Sequence, residues 1–517
     1  MSNVFWSIKD NLYKNPVKSW AINIIRFIDH LIIIILLKQF FSLGLTTIIG
    51  IFVLFHIWPF SLIPTIRSAN STNSDSMSNS IFRQYWPISL IPTFGGDIYD
   101  FIDNGAFKFV LDKWKHKGIG CTHTNLRFVH LPVTLVYDGF LTRKILSCNV
   151  NEVSRGKSYE RLSKFFGNGI FTSINHELWK HQRNSILMLF VKKHMEVITP
   201  SLSKTMFDTL DIQIKQDPIL DLVTILSQMG LNGFCKTIFG VDVSDNSLVI
   251  IDPLNKILSY IGGVVEPFTF PFDPDYKSFI ENKNIVHNWL LQLVTKAKKS
   301  PTCHQLIKKE FENDKLNEQQ LIEFIFSIVL GGHETTARLM LGIVYSLCYD
   351  KSIVQKLNIE SSEYFMTHNE CQFDILKQPY LKKIIKEGTR LFPPVWLFSK
   401  EAKQDLQIDD CFLKKGTQIL MSPIIFLRDK DIWGTDSETF DPDRFDYITD
   451  DQNKIFIPFV IGPENCPGKL FAELESSIVI SKLFSNYDIT VRDHVLNPCS
   501  GGTFRLTDKI LVSIKKL

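Results

Sequence analysis

Apolar positions follow helical spacing over two long stretches of this chain, Asn317–Tyr349 and Lys469–Leu483. The first stretch opens with Asn317 and Gln320, three residues apart, and this spacing predicts a capping box at a helix N-terminus. Its centre carries the adjacent pair Gly331-Gly332, and two glycines cost a helix interior about 2 kcal/mol relative to alanine. Since the pair breaks a local rule in the middle of a long helix, we expect it to have a functional reason.

A third apolar stretch, Phe40–Trp58, contains no Asp, Glu, Lys or Arg over 19 residues. As a helix it would reach about 28 Å, close to the hydrocarbon thickness of a bilayer, so we predict a membrane anchor. Basic residues outnumber acidic ones before the span, which by the positive-inside rule puts the N-terminus in the cytosol. A helical hairpin, with residues 21–37 as an imperfect first span, is the alternative topology, and the choice stays open.

These patterns divide the chain into three parts. Residues 1–58 form an N-terminal segment with the anchor, residues 59–85 form a linker rich in Pro, Ser and Asn, and residues 86–517 form one large domain. Length alone would suggest about three domains. No linker interrupts the sequence after residue 100, so we expect a single domain there.

Charge and cysteine usage narrow the class of protein. The chain has 57 Lys and Arg against 54 Asp and Glu, a net charge of +3, which gives no argument for a nucleic-acid partner. Nine cysteines are scattered without a C-x-x-C pair or metal-finger spacing, as is typical of free thiols in a reducing compartment. Cys466 is the one cysteine for which we predict a role other than that of a free thiol.

The stretch Phe459–Gly468 reads FVIGPENCPG and places Cys466 between Gly462 and Gly468, just before the second helical pattern. A helix N-terminus lowers the pKa of a nearby thiol, because its unpaired N–H groups and positive dipole end face the sulfur. The glycines let the backbone pass close to a flat ligand. The loop is therefore a candidate seat for a cysteine that binds a haem iron axially.

A structural network is predicted around Glu387. Glu387 and Arg390 lie three residues apart on one helix face and can pair, and Pro393-Pro394 ends the helix behind them. Arg444, in the loop stretch PDRF, supplies a second guanidinium to Glu387. Since removing one partner of a buried ion pair typically costs about 3–5 kcal/mol, we expect Arg444→Ala to give unfolded or haem-free protein.

From about Pro87 to the C-terminus, the chain resembles the cytochrome P-450 family of haem-thiolate monooxygenases. Each short motif is weak alone, but five of them occur in family order. The resemblance implies a mainly α fold with small β-sheets, a single large helical catalytic domain behind a membrane anchor. The motifs are Trp179-x-x-x-Arg183, Gly331–Thr336, Glu387-x-x-Arg390, Pro442–Phe445 and Phe459–Gly468.

The resemblance assigns the haem-binding residues. Cys466 is the axial ligand of the iron in haem b, and Trp179 and Arg183, four residues apart on one helix face, bond a haem propionate. Taken alone, Trp179 and Arg183 would be interpreted as an amphipathic surface pair. Lys400 is a weaker propionate candidate. The remaining residues expected to border the haem are Phe459, Gly462, Gly468 and Gly332.

The same resemblance assigns proton delivery to Thr335 and Glu334. Splitting dioxygen needs protons at the distal oxygen while bulk water is held back, and a hydroxyl and a carboxylate at a loosened helix turn can supply them. From the residues alone, Thr335 bonding back to its own helix and Glu334 on a solvated face is the favoured alternative. The resemblance favours the proton relay, with Thr336 in a packing role.

One residue departs from the family pattern. The family usually has a basic residue two positions before the cysteine, where it meets a propionate, and this chain has Glu464. A carboxylate beside a propionate is repulsive unless a cation lies between them or Glu464 turns outward. The iron ligand itself is unaffected.

The resemblance implies a membrane-anchored monooxygenase of the endoplasmic reticulum, with its catalytic domain facing the cytosol. The resemblance also implies that electrons come from NADPH through a separate flavoprotein reductase, because the chain has no flavin or nicotinamide motif of its own. The alternatives are a haem-thiolate isomerase or lyase, against which Thr335 argues, and a non-catalytic haem-binding membrane protein. We expect an apolar small-molecule substrate, bound by the region after Cys148, residues 200–300, Val395–Phe398 and Ser500–Phe504.

Overall fold

The structure is a computed structural model that describes residues 121–126, 131–263, 274–312, 316–494, 498–500 and 502–517. The predicted anchor at 40–58, its hairpin partner at 21–37 and the linker at 59–85 lie outside these residues. Within them, no helix is both long enough and apolar enough to cross a bilayer.

The described chain is mostly helical, as the sequence predicts. In order, the α-helices are α1 (Gly139–Ser147), α2 (Lys157–Phe166), α3 (His176–Leu189), α4 (Lys192–Gln216), α5 (Leu222–Phe234), α6 (Ser247–Gly263), α7 (Pro274–Lys299), α8 (Gln305–Glu312), α9 (Glu318–Tyr349), α10 (Lys351–Thr367), α11 (Pro379–Leu391), α12 (Pro423–Phe426), α13 (Lys430–Trp433), α14 (Asp450–Ile455) and α15 (Lys469–Asn486).

Short strands form small sheets beside the helices. They are β1 (Cys121–Leu126), β2 (Leu131–Val136), β3 (Val153–Ser154), β4 (Ile219–Asp221), β5 (Phe398–Ala402), β6 (Leu406–Ile408), β7 (Cys411–Leu413), β8 (Gln418–Met421), β9 (Tyr487–His494), β10 (Cys499–Ser500), β11 (Phe504–Arg505) and β12 (Ile510–Lys516). The predicted fold class, mainly α with small β-sheets, is confirmed.

The largest described sheet has the strand order β1-β2-β8-β5-β3, with β2 and β8 parallel and the other pairs antiparallel. At its edge Ser154 lies opposite Glu401. This register brings Arg155, which follows β3, close to Lys400 on β5. The remaining sheets are β4-β12-β9, β6-β7 and β10-β11.

Helix α9 forms the centre of the helical core. Its N-terminus has the predicted capping box: the Gln320 N–H donates to Asn317 Oδ1 at 2.9 Å, and the Asn317 N–H donates to Gln320 Oε1 at 3.1 Å. Most of its residues are buried, and it packs against α5, α11 and α15. Since α15 follows the Cys466 loop directly, this packing fixes the loop against the rest of the core.

Candidate active site

The Cys466 loop is closed by its own backbone. The Cys466 N–H donates to the Phe459 carbonyl at 2.9 Å. Gly462 has a left-handed φ of +78°, and a Cβ there would lie 2.6 Å from the carbonyl oxygen of Leu146, so only glycine fits. The Cys466 side chain is exposed although protein surrounds it closely enough to disfavour its charged form. It therefore lies in a recess within the molecule.

The acidity of Cys466 differs from the sequence-based expectation. Burial raises the pKa of the Cys466 thiol above its usual value, and the Gly468 N–H and the charges of Arg183 and Lys469 offset that effect only in part. The helix N-terminus therefore does not by itself produce a thiolate. Iron bound to the sulfur would do so, because a metal-coordinated thiol loses its proton outright.

Trp179 and Arg183 lie on one face of α3 and reach the Cys466 loop. Arg183 stacks on the Trp179 ring at 5.5 Å and donates from Nη1 to the Asn465 carbonyl at 2.9 Å and from Nη2 to the Asn465 side chain. Trp179 Nε1 is buried and has no acceptor within the described part of the chain. Because a buried N–H normally has a partner, this indole fits a site built to receive an acceptor such as a haem propionate.

Arg155 is a member of this site that the sequence did not reveal. Its guanidinium lies 5.1 Å from the Trp179 ring, and Nη1 donates to the carbonyls of Ile170 and Ser173 at 2.8 and 3.0 Å. Its Nε is 3.3 Å from Glu464 Oε2. No motif marks Arg155, and the β3–β5 pairing helps to bring it near the cysteine loop.

Glu464 is held between cations. Lys400 donates to its Oε2, the same oxygen that faces Arg155. Burial alone would raise the pKa of Glu464, but Arg155 and Lys400 lower it below the usual value, so the side chain is ionised. The sequence predicts repulsion between Glu464 and a haem propionate. Arg155 and Lys400 offset the negative charge of Glu464, and Glu464 does not turn outward.

Thr335 lies in the middle of helix α9, which runs through the core without a break. The Thr335 hydroxyl donates to the Gly331 carbonyl at 2.9 Å, one turn earlier, and its side chain is half-buried. The expected loosened turn is absent, since α9 is continuous through the Gly331-Gly332 pair. A Cβ on Gly332 would collide with the ring of Phe234 on α5. Helix packing against Phe234 therefore requires a glycine at position 332, and the expectation that Gly332 borders the haem stays a prediction.

Glu334 lies in a buried ion pair, not on a solvated face. Arg338 Nε donates to Glu334 Oε1 at 2.9 Å, and the Thr503 hydroxyl donates to the same oxygen at 3.1 Å. Burial by itself would raise the pKa of Glu334, but Arg338, with His333 and Arg505, lowers it to about 2. The carboxylate is ionised at neutral pH, an environment different from that expected for a proton relay.

The Glu387 network is assembled as the sequence suggests. Arg390 donates from Nε and Nη2 to the two Glu387 oxygens, both at 2.7 Å, and Arg444 Nε is 3.3 Å from Glu387 Oε1. Glu387 and Arg390 have no exposed surface. Arg390 also donates to the carbonyls of Leu427 and Ser437, so the network joins α11 to the segments that follow α12 and α13.

A cysteine on a glycine-bounded loop lies beside a cluster of cations and an indole N–H that has no acceptor among the described residues. Together these features fit a haem held by a thiolate. The family profile of cytochrome P450 matches residues 122–511. The chain belongs to the cytochrome P450 family and is a monooxygenase of the haem-thiolate type.

One relative supports this assignment along the whole chain, and two others support it over about two thirds of the chain. Cytochrome P450-like protein L532 of Acanthamoeba polyphaga mimivirus is 47% identical over 522 aligned residues, covering 100% of this chain and 99% of the relative. Cytochrome P450 52-M1 of Starmerella bombicola is 25% identical and covers 67% of this chain and 73% of its own length. Human cytochrome P450 4F8 is 24% identical, and the alignment covers 65% of this chain and 71% of the human protein.

Proposed function

We propose that this monooxygenase oxidises an apolar small molecule with electrons that a separate NADPH-dependent flavoprotein reductase supplies. The observation that carries the proposal is the arrangement of Cys466 on its closed loop beside Trp179 and Arg183. A separate reductase is inferred because the sequence contains no flavin or nicotinamide motif.

Cys466 would hold the haem, which when bound supplies the iron that activates dioxygen. Trp179 contributes a buried donor without an acceptor in the described chain. Arg183 fixes the cysteine loop through Asn465 and would offer its positive charge to the carboxylates of a bound haem. These side chains would orient the cofactor before any substrate enters.

We assign proton handling to Thr335. A group that exchanges protons efficiently has a pKa near the working pH or acts as a hydrogen-bonded hydroxyl. Glu334, with a pKa of about 2, keeps its charge and stays with Arg338. Glu334 therefore positions the middle of α9, while the half-buried Thr335 hydroxyl is the nearby group that can hold and pass a proton.

The substrate would bind beside this turn of α9. The segment Ser500–Phe504, expected from the sequence to line the pocket, reaches Glu334 through Thr503. Val395, in another expected segment, is 43% exposed although it lies between α11 and β5. We therefore place the apolar substrate near Thr503 and Glu334, with Val395 as a further residue that it could contact.

We further propose that residues 40–58 anchor the enzyme to the endoplasmic reticulum with the catalytic domain in the cytosol. The support is the sequence itself, an uncharged 19-residue stretch ahead of a linker. A cytosolic catalytic domain would share its compartment with NADPH.

Reconstitution tests the function. The full chain in lipid nanodiscs, supplied with NADPH and a flavoprotein reductase, is expected to convert an apolar substrate and to incorporate label from ¹⁸O₂ into the product. Turnover of organic peroxides without reductase or dioxygen would contradict the proposal and favour an isomerase. The matched control omits only the reductase.

A further inference from the structure

Four charged side chains meet beside the Cys466 loop: Arg155, Arg183, Lys400 and Glu464. Each comes from a different segment, namely the turn after β3, helix α3, strand β5 and the cysteine loop. None is more than 14% exposed. Glu464 contacts Arg155 and Lys400 directly, and Arg183 binds its neighbour Asn465.

This cluster has surplus positive charge. Three cations and one carboxylate leave a net charge of plus two, and the carboxylate that acts on both Arg183 and Lys400 is Glu464. Buried charge is costly unless it is paired. The cluster is therefore incomplete without an anionic partner of about two negative charges.

Haem has that charge at its edge. A ferric iron, a dianionic porphyrin ring and one thiolate sum to zero, which leaves the two propionates as the net charge of the bound group. We propose that the net charge of Arg155, Arg183, Lys400 and Glu464 is matched to the two propionates, and that Glu464 sets the match by cancelling one of the three cations. This inference rests on haem as the cofactor and is independent of the substrate and the reductase proposed above.

The match explains why this chain has an acid where the family usually has a base. Arg155 and Lys400 already supply the cations on this side of the loop. A basic residue in place of Glu464 would bring four cations and no carboxylate to the cluster. The acid at 464 and the base at 155 are therefore two parts of one arrangement, and neither is a defect of the site.

The midpoint potential of the haem iron tests how the charges of Glu464 and Lys400 act on the cofactor. Glu464→Gln raises the net charge by one and is expected to shift the potential to a more positive value, because added positive charge favours ferrous over ferric iron. Lys400→Met lowers the net charge by one and is expected to shift it in the opposite direction. The double variant Glu464→Gln/Lys400→Met keeps the wild-type net charge and is expected to return close to the wild-type potential.

Haem retention gives a second readout, measured as transfer to excess apomyoglobin. Lys400→Met is expected to lose haem about tenfold faster, since it removes one of the cations that we match to the propionates. The double variant is expected to recover most of the loss. If Lys400→Met holds no haem, its recovery in the double variant alone supports the proposal. Glu160→Gln, which removes an exposed carboxylate of α2, is the matched control and is expected to change neither readout.

The wild-type protein separates this inference from the cofactor assignment. Absence of a thiolate-type spectrum in the reduced, carbon-monoxide-bound wild type would mean that the cofactor assignment fails. A normal wild-type spectrum with both single variants shifting the potential in the same direction, or with no recovery in the double variant, would overturn the charge match alone.

Discussion

Arg338 donates a hydrogen bond of 2.9 Å from Nε to the carboxylate of Glu334, one helical turn earlier on α9. Both side chains are buried, at 5% and 2% exposure. The Glu334 carboxylate is thus paired with the Arg338 guanidinium, and this buried ion pair stabilises the central helix. Arg338 also reaches Asn255 Oδ1 at 2.8 Å, so the pair ties α9 to α6.

Glu334→Gln is expected to destabilise the protein by about 3–5 kcal/mol, because it leaves Arg338 buried without its anion. Chemical denaturation measures this loss. The double variant Glu334→Gln/Arg338→Met is the control and is expected to recover much of the stability. A Glu334→Gln protein with wild-type stability and selectively slowed turnover would instead support a proton relay through Glu334.

Thr335→Ala is expected to reduce the product formed per NADPH consumed by about tenfold to a hundredfold, since a hydroxyl that handles protons is lost. Its stability is expected to change by less than about 1 kcal/mol, because within the described part of the chain the hydroxyl bonds to a carbonyl of its own helix and to nothing else. Thr335→Ser keeps the hydroxyl and should retain most of the coupling. Equal coupling in the alanine variant and the wild type would remove Thr335 from proton handling.

The two arginines that contact Glu387 are expected to contribute differently to the stability of the protein. Arg390→Ala is expected to cost about 3–5 kcal/mol or more, since Arg390 makes both short bonds to Glu387 and is fully buried. Arg444→Ala leaves those bonds in place but still removes a buried contact. We expect unfolded or haem-free protein from both, with Arg390→Ala the more severe by expression yield and haem content. An Arg444→Ala protein with full haem and stability would show that Glu387 needs only Arg390.

Glu475 on α15 makes stability depend on pH. Burial raises its pKa well above the usual value, against a smaller opposing effect of the Thr336 hydroxyl, so the folded protein holds this side chain protonated. The unfolded chain releases that proton above the usual carboxyl pKa, and the folded state is therefore penalised increasingly as pH rises. Glu475→Gln should lose less stability than the wild type between about pH 5 and about pH 8, as thermal unfolding in matched buffers measures. A parallel loss in both proteins would mean that Glu475 is ionised in the fold.

Residues close in sequence were predictable from the sequence because one helix face or one loop holds them together. The capping box of Asn317 and Gln320 and the pair Glu387–Arg390 are such cases. The pairing of Glu334 with Arg338 belongs to the same class. Its four-residue spacing was a usable signal, although the burial of the pair, within which Arg338 lowers the pKa of Glu334, was not visible in the sequence.

Residues distant in sequence were not predictable in this way. Arg155 meets Glu464 only because β3 pairs with β5, and Thr503 meets Glu334 only because the C-terminal turn returns to α9. The contact of Gly332 with Phe234 on another helix, which requires a glycine there, also left no signal in the sequence. Long-range contacts of this kind depend on the assembled fold and leave no local pattern.

The reduced, carbon-monoxide-bound absorption spectrum of the full chain tests the central claim most directly. We predict a strongly red-shifted Soret band in the wild type that is lost in Cys466→Ala, because the iron would then lack its thiolate. A wild-type band at the position typical of histidine or neutral thiol ligation, or a red-shifted band that survives in Cys466→Ala, would contradict the assignment of Cys466 as the axial ligand.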